Sequence, residues 1–148
     1  MRSSMLAVLA TLAAGVALTA CSSTINYKYT FDPSVNFAGP KTYEWINPSQ
    51  GNSPSSPLEE YIRFNADRVL EAKGWKKVAD RPELVFSVSI EHDLLSSYQL
   101  RLVSLRAARK DTGDAVWRGT ASGSIDGNAG SPELRDAVKQ ILTSFPPS

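Results

Sequence analysis

Acid, histidine and serine come together once in this chain, at Glu91-His92-Asp93 with Ser96-Ser97 just behind. These are the parts of a hydrolytic site: a nucleophile, a base, and an acid that orients the base. They act only if they converge on one point. Glu83 to His92 alternates, with Leu84, Phe86, Val88, Ile90 and His92 on one face, which is the pattern of a strand. Extended backbone sends His92 to the face opposite Glu91 and Asp93, so the spacing favours a strand-end histidine over a catalytic base. His92 is the sole histidine and Cys21 the sole cysteine. No internal disulfide can form, and no zinc site of the usual ligand types. Asp126-Gly127-Asn128 lacks the alternating acids of a calcium loop, and Gly113, Gly119 and Gly123 fit no phosphate-binding pattern. No metal or cofactor is expected.

Cys21 is placed for a different chemistry. Met1-Arg2-Ser3-Ser4 makes a short positive start, and Met5 to Ala20 is apolar and uncharged. That run is shorter than the ~20 residues of a bilayer span but suits a signal peptide. It ends in Leu18-Thr19-Ala20-Cys21, which resembles the bacterial lipobox. The resemblance implies a diacylglycerol on the Cys21 thiol, cleavage between Ala20 and Cys21, and acylation of the new amine. Residues 1–20 are then a lipoprotein signal peptide, 21–23 a lipid-anchored tether and 24–148 one periplasmic domain. Ser22 stands where many inner-membrane lipoproteins carry aspartate, so the outer membrane is the expected address. Three acyl chains, at ~0.8 kcal/mol per buried methylene, make such an anchor permanent. A tether of this length reaches roughly 10 Å when extended, which holds the domain against the bilayer. It is therefore expected to act on something at or in the membrane.

Sixteen Lys and Arg against fifteen Asp and Glu leave no basic excess, which argues against a nucleic-acid partner. With 42% apolar residues the chain can bury one core without a covalent staple. Thr24 to Phe31 alternates, placing Ile25, Tyr27, Tyr29 and Phe31 on one face of a half-buried strand. Thr42 to Ile46 reads as a short strand with Tyr43 and Trp45 inward, and Asn47 to Ser56 as a surface loop. Ser56-Pro57-Leu58-Glu59 is a capping box with proline at the first helical position, and Lys73-Gly74 closes that helix. Trp75 to Val78, Tyr98 to Leu105 and Ala115 to Ile125 add strands, with a hairpin turn at Asp111-Thr112-Gly113. Ser131-Pro132 opens a second helix, whose stripe runs from Leu134 to Phe145 before Pro146-Pro147 stops it. The reading is an α+β two-layer sandwich, a mainly antiparallel sheet with two helices on one face.

That leaves the opposite sheet face. It collects Asn26, Lys28 and Thr30, then Ser87, Ser89 and Glu91, then Gln99 and Arg101, then Arg118, Thr120, Ser122 and Ser124. Within it, Arg101, Arg118, Thr120 and Ser122 are the candidate partner-binding residues, because arginine offers a planar fork of donors to a glycan or an anionic group. A plain solvated face is the ordinary alternative.

Lys41-Thr42-Tyr43-Glu44-Trp45, Lys73-Gly74-Trp75, Pro82-Glu83-Leu84-Val85, Thr112-Gly113 with Val116-Trp117-Arg118-Gly119, and Phe145-Pro146-Pro147 occur in this order. The ordered set behind a lipobox resembles the bacterial envelope lipoproteins catalogued as domain of unknown function 4136. The resemblance covers about Tyr27 to Pro147, implies a lipid-anchored α+β domain, and supplies no catalytic residues. The expected function is a non-enzymatic binding or assembly module near the membrane, with an envelope protein, glycan or lipid as partner. The alternative is an envelope hydrolase or transferase with a cryptic Ser/His/carboxylate site. Replacing the anchor residue, Cys21→Ser, is predicted to leave an unprocessed precursor without acyl mass. A wild-type protein with a free Cys21 thiol would contradict the anchor.

Overall fold

The computed structural model describes residues 24–39, 41–47 and 55–147. The signal segment, Cys21 with its tether, and residues 48–54 of the Asn47 to Ser56 loop lie outside them. Six strands and two helices follow in the order β1 (Asn26–Phe31), β2 (Thr42–Trp45), α1 (Pro57–Ala72), β3 (Lys76–Lys77), β4 (Leu84–His92), β5 (Gln99–Arg109), β6 (Ala115–Asp126) and α2 (Pro132–Ile141). They form one sheet in the order β1-β6-β5-β4-β2-β3. The β1, β6, β5 and β4 ladders are antiparallel. β2 runs parallel to both β3 and β4, because α1 carries the chain back from the end of β2 to the start of β3. The fold is α+β with both helices on one sheet face, as the alternation requires.

Local signals in the sequence set both helix starts. Ser56 accepts from the Glu59 amide at 3.2 Å while the Glu59 carboxylate accepts from the Ser56 amide at 3.1 Å. Ser131 accepts from the Leu134 amide at 3.3 Å. At the far end of α1, Gly74 takes φ +84°, which a side chain resists. α2 stops at Ile141, earlier than its apolar stripe suggests, and a 3-10 turn covers Leu142–Ser144. Phe145 is extended at φ −117° and ψ 133°, since the residue before a proline is kept out of the helical region.

That extended turn drops Phe145 into the centre of the core. Its ring lies 5.0 Å from Trp75, 5.0 Å from Trp117, 5.2 Å from Phe86 and 5.8 Å from Phe37. The Lys73 ammonium holds the turn in place by donating to the Leu142 carbonyl at 2.6 Å and to the Phe145 carbonyl. Burial pulls that ammonium below the ordinary lysine range. α2 comes close to the sheet over Gly119. A Cβ there would stand 2.6 Å from the Trp117 ring and 2.7 Å from Ile141.

One carboxylate fastens α1 to the parallel edge. Asp67 Oδ1 accepts from the Tyr43 hydroxyl and the Trp45 indole N–H, each at 2.7 Å, and Oδ2 meets the Lys77 ammonium at 2.6 Å. Burial, with the Asp67 carboxylate beside it, pushes the Tyr43 hydroxyl far above the usual tyrosine range.

Two sequence expectations need correction. The first strand is not half-buried: every residue of β1 is exposed. It is the edge of the sheet, and α2 sits over β6, so Tyr27, Tyr29 and Phe31 lie on the helix side beyond most of the helical cover. The strand expected at Tyr98 to Leu105 runs on to Arg109 and contains a register shift between Leu100 and Leu102.

Asp67→Ala leaves the buried Tyr43 hydroxyl and the Trp45 N–H without an acceptor. It is predicted to cost about 2–3 kcal/mol in urea unfolding, the range for hydrogen bonds to a charged group. Gly119→Ala is predicted to cost about 1–3 kcal/mol by overpacking against Trp117 and Ile141.

Candidate functional site

The structure disperses the acid-histidine cluster. Glu91 is taken by Arg101, whose Nε and Nη2 lie 2.9 and 2.7 Å from Oε2. Asp93 Oδ1 accepts from the Leu95 amide at 2.7 Å, fixing a turn. His92 is exposed and follows a register shift after Glu91. Among the described residues, no group of three His, Cys, Asp or Glu side chains is placed to hold a metal ion.

The outward sheet face is ordered into rows by the strand register. One row reads Ser87, Arg106, Arg118, Thr30 across β4, β5, β6 and β1. The next reads Ser89, Ser104, Thr120, Lys28, and the third Glu91, Leu102, Ser122, Asn26. Arg118, Thr120 and Ser122 therefore share the face, as the alternation of β6 demands. Arg101 stands at the margin of this face. It is the extra residue where the β4–β5 register steps from Glu91↔Leu102 to His92↔Leu100, and its guanidinium pairs with Glu91 of the third row. The bulge also explains why Val103 and Leu105 are buried although strict alternation from Arg101 would have put them outside.

Arg106 is a further cation of the first row. It stands directly opposite Arg118, and its Nη2 donates to the Gly113 carbonyl at 3.0 Å. Arg118 is exposed and has no hydrogen-bond or ion-pair partner among the described residues. Lys28 is diagonal to it across β1 and β6, and diagonal neighbours are about 7–8 Å apart. The two central rows hold three cations, five hydroxyls and no carboxylate. Thr120 donates weakly to the Lys28 carbonyl at 3.4 Å, leaving its oxygen as an acceptor toward solvent. Alternation with the buried Leu105 and Ala107 was the signal in the sequence that Arg106 faces outward.

A second concavity had no local signal. At the end of the sheet where β4 begins and β5 turns into β6, a cleft of about 470 Å³ has Phe37, Trp75 and Leu84 on its floor. Arg81, Arg109 and Asp111 stand on its rim. The Trp75 indole N–H is buried without an acceptor among the described residues. Its residues come from four separate stretches of chain.

Residues 27–147 match the family described as Domain of unknown function (DUF4136). The chain belongs to that family. The DUF4136 fold is shared with a PDZ domain protein from Parabacteroides distasonis, at a TM-score of 0.59 and 13% identity over 85% of this chain. The match takes in 36% of that longer protein, so the chain spans about a third of its length. PelC from Paraburkholderia phytofirmans, a dodecamer, has a TM-score of 0.55 at 14% identity, covering 81% of this chain and 95% of its own. At these identities the likeness is one of fold. No curated protein matches the DUF4136 chain. No helix of the described residues is long and apolar enough to cross a membrane.

Two arginines directly opposite on neighbouring strands repel, which costs roughly 0.2–1 kcal/mol without an anion between them. Arg118→Thr, a good strand former, is therefore predicted to stabilise the free protein by about that amount in chemical denaturation. A loss of stability instead would mean that Arg118 already has a compensating partner.

Proposed function

We propose that this DUF4136 protein is a lipid-anchored, non-enzymatic binding module of the bacterial envelope, anchored through Cys21 on the periplasmic side of the outer membrane. Residues 1–20 are its signal peptide, 21–23 the tether and 24–148 the binding domain. Its partner carries an anionic group, on a glycan or a headgroup, and meets the outward face at Arg106, Arg118 and Lys28, flanked by Thr120 and Ser122. Arg101 acts at the margin, through Glu91.

One observation carries this reading: Arg106 and Arg118 are directly opposed, with no carboxylate in either central row. Like charges across a ladder are unfavourable alone and become favourable when one anion bridges both forks. Of the hydroxyls around them, Ser87 and Ser104 are buried, while Thr30, Ser89 and Thr120 supply donors and acceptors of the kind that glycans need. A short tether keeps the β1 end of the domain near the bilayer, and the face rises from there into the periplasm.

Oligogalacturonate, a carboxylated oligosaccharide, serves as the probe for the lipidated protein in detergent. Arg106→Gln with Arg118→Gln is expected to weaken binding by about tenfold or more per arginine, from ~1.5–3 kcal/mol for each hydrogen bond to a charged group. Arg81→Gln with Arg135→Gln removes the same charge elsewhere and is expected to leave binding within twofold. Equal losses in both pairs would reduce the effect to net charge and contradict the face.

A further inference from the structure

Among the described residues, three large apolar side chains are more exposed than any others. Leu94 is 88% exposed, Leu95 97% and Tyr98 72%, all in the loop between β4 and β5. The loop is not slack. The Asp93 amide donates to the Gln99 carbonyl at 2.8 Å, and the Asp93 carboxylate accepts from the Leu95 amide at 2.7 Å. The Gly127 amide reaches back to the Tyr98 carbonyl at 2.9 Å. These bonds satisfy the polar groups inside the turn and leave the two leucines at its tip.

The register decides which way the tip points. β4 ends and β5 begins at this loop, β6 ends beside it at Asp126, and β1 starts at the same end with Asn26 opposite Ser122. A Cβ on Gly123 would stand 3.1 Å from the Thr24 carbonyl oxygen, which fixes the entering chain against β6. From β1 to the middle of the β4–β5 loop is about two and a half strand spacings, or roughly 12 Å. Cys21 precedes Thr24 by three residues, a reach of roughly 10 Å. Thr24 and the leucine tip therefore lie at one end of the domain, and an anchor on Cys21 would be within reach of the same plane.

We propose that the Leu94-Leu95 tip, with Tyr98 behind it, is a second membrane contact that dips into the headgroup and acyl boundary and sets the orientation of the domain. This rests on Cys21 being the lipidated residue. Leucines enter the acyl region while a tyrosine sits at headgroup level, where its ring and hydroxyl meet both environments. The nearby carboxylates are occupied within the protein: Asp93 by the Leu95 amide, Asp126 by the Asn128 amide at 3.1 Å, and Glu133 by the Asp126 amide at 2.8 Å. Glu91 is paired with Arg101. The contact commits to a bilayer surface, with the sheet rising from it. β4 is 9 residues long, so the Arg109 to Asp114 end stands up to about 30 Å away.

The test uses the mature lipidated protein in vesicles of phosphatidylethanolamine with a minor share of phosphatidylglycerol. Cys21 is the sole cysteine, so once it is acylated an introduced thiol is the only one to take a label. An environment-sensitive fluorophore on Ser97→Cys is expected to shift to the blue, brighten several-fold and be quenched by lipids spin-labelled high on the acyl chain. The same label on Thr112→Cys, at the far hairpin, is expected to read water. Adding Leu94→Ser and Leu95→Ser to the Ser97→Cys protein should abolish the quenching, while circular dichroism stays unchanged. A Ser97→Cys probe that reads water, or quenching that persists without the leucines, overturns the proposal. Acyl mass on the N-terminal peptide is measured in the same sample; its absence overturns the anchor and this contact with it.

Discussion

Gly119 sets the distance between α2 and the sheet, and most of the core is built outward from that closeness. The Trp117 ring and Ile141 occupy the space where a side chain on Gly119 would stand. Trp117 then supports Phe145, and Phe145 gathers Phe37, Trp75 and Phe86 around it. The turn that delivers Phe145 is held by Lys73 from the end of α1, so the two helices and the sheet meet at one ring. Asp67 makes the matching connection at the other edge, where a single carboxylate serves Tyr43, Trp45 and Lys77.

Because both helices lie on the Gly119 side, the other sheet face meets solvent and is free to carry polar chemistry. The strand register then turns that face into rows rather than a scatter of hydroxyls, and brings Arg106 opposite Arg118. The same register gives the sheet two unlike ends. One holds the entry of β1 and the exposed Leu94-Leu95 tip, and the other holds the Trp75 cleft. A domain tethered at the first end would raise its Arg106–Arg118 row and its cleft away from the bilayer, with Ser122 and Asn26 lower on the same face.

What was legible in the sequence is what local chemistry decides. Ser56 with Glu59, Ser131 with Pro132, and the Gly113 turn at φ +76° appear in the structure as the residues dictate. Strand alternation also found the face of Arg118, Thr120 and Ser122, and membership of the DUF4136 family was visible in the ordered motifs. The misreadings were non-local. The exposure of Tyr29 follows from β1 being the edge, which depends on strand order and not on the strand itself. The bulge at Arg101 leaves no mark in an alternation, whereas the buried Leu105 and Ala107 on either side of Arg106 mark it as outward-facing. Asp67 and the cleft join residues far apart in the chain, and no window of sequence contains them.

The account stands or falls on the arginine rows being the surface that meets a partner. Photo-crosslinkers placed at Thr30 and Ser122 in intact cells test this most directly, with Lys139 on the exposed side of α2 as the comparison. The prediction is a covalent adduct from Thr30 and Ser122, none from Lys139, and loss of the adduct when Arg106 and Arg118 are both replaced by glutamine. Adducts only from Lys139, or adducts from Ser122 that survive the loss of both arginines, would contradict it.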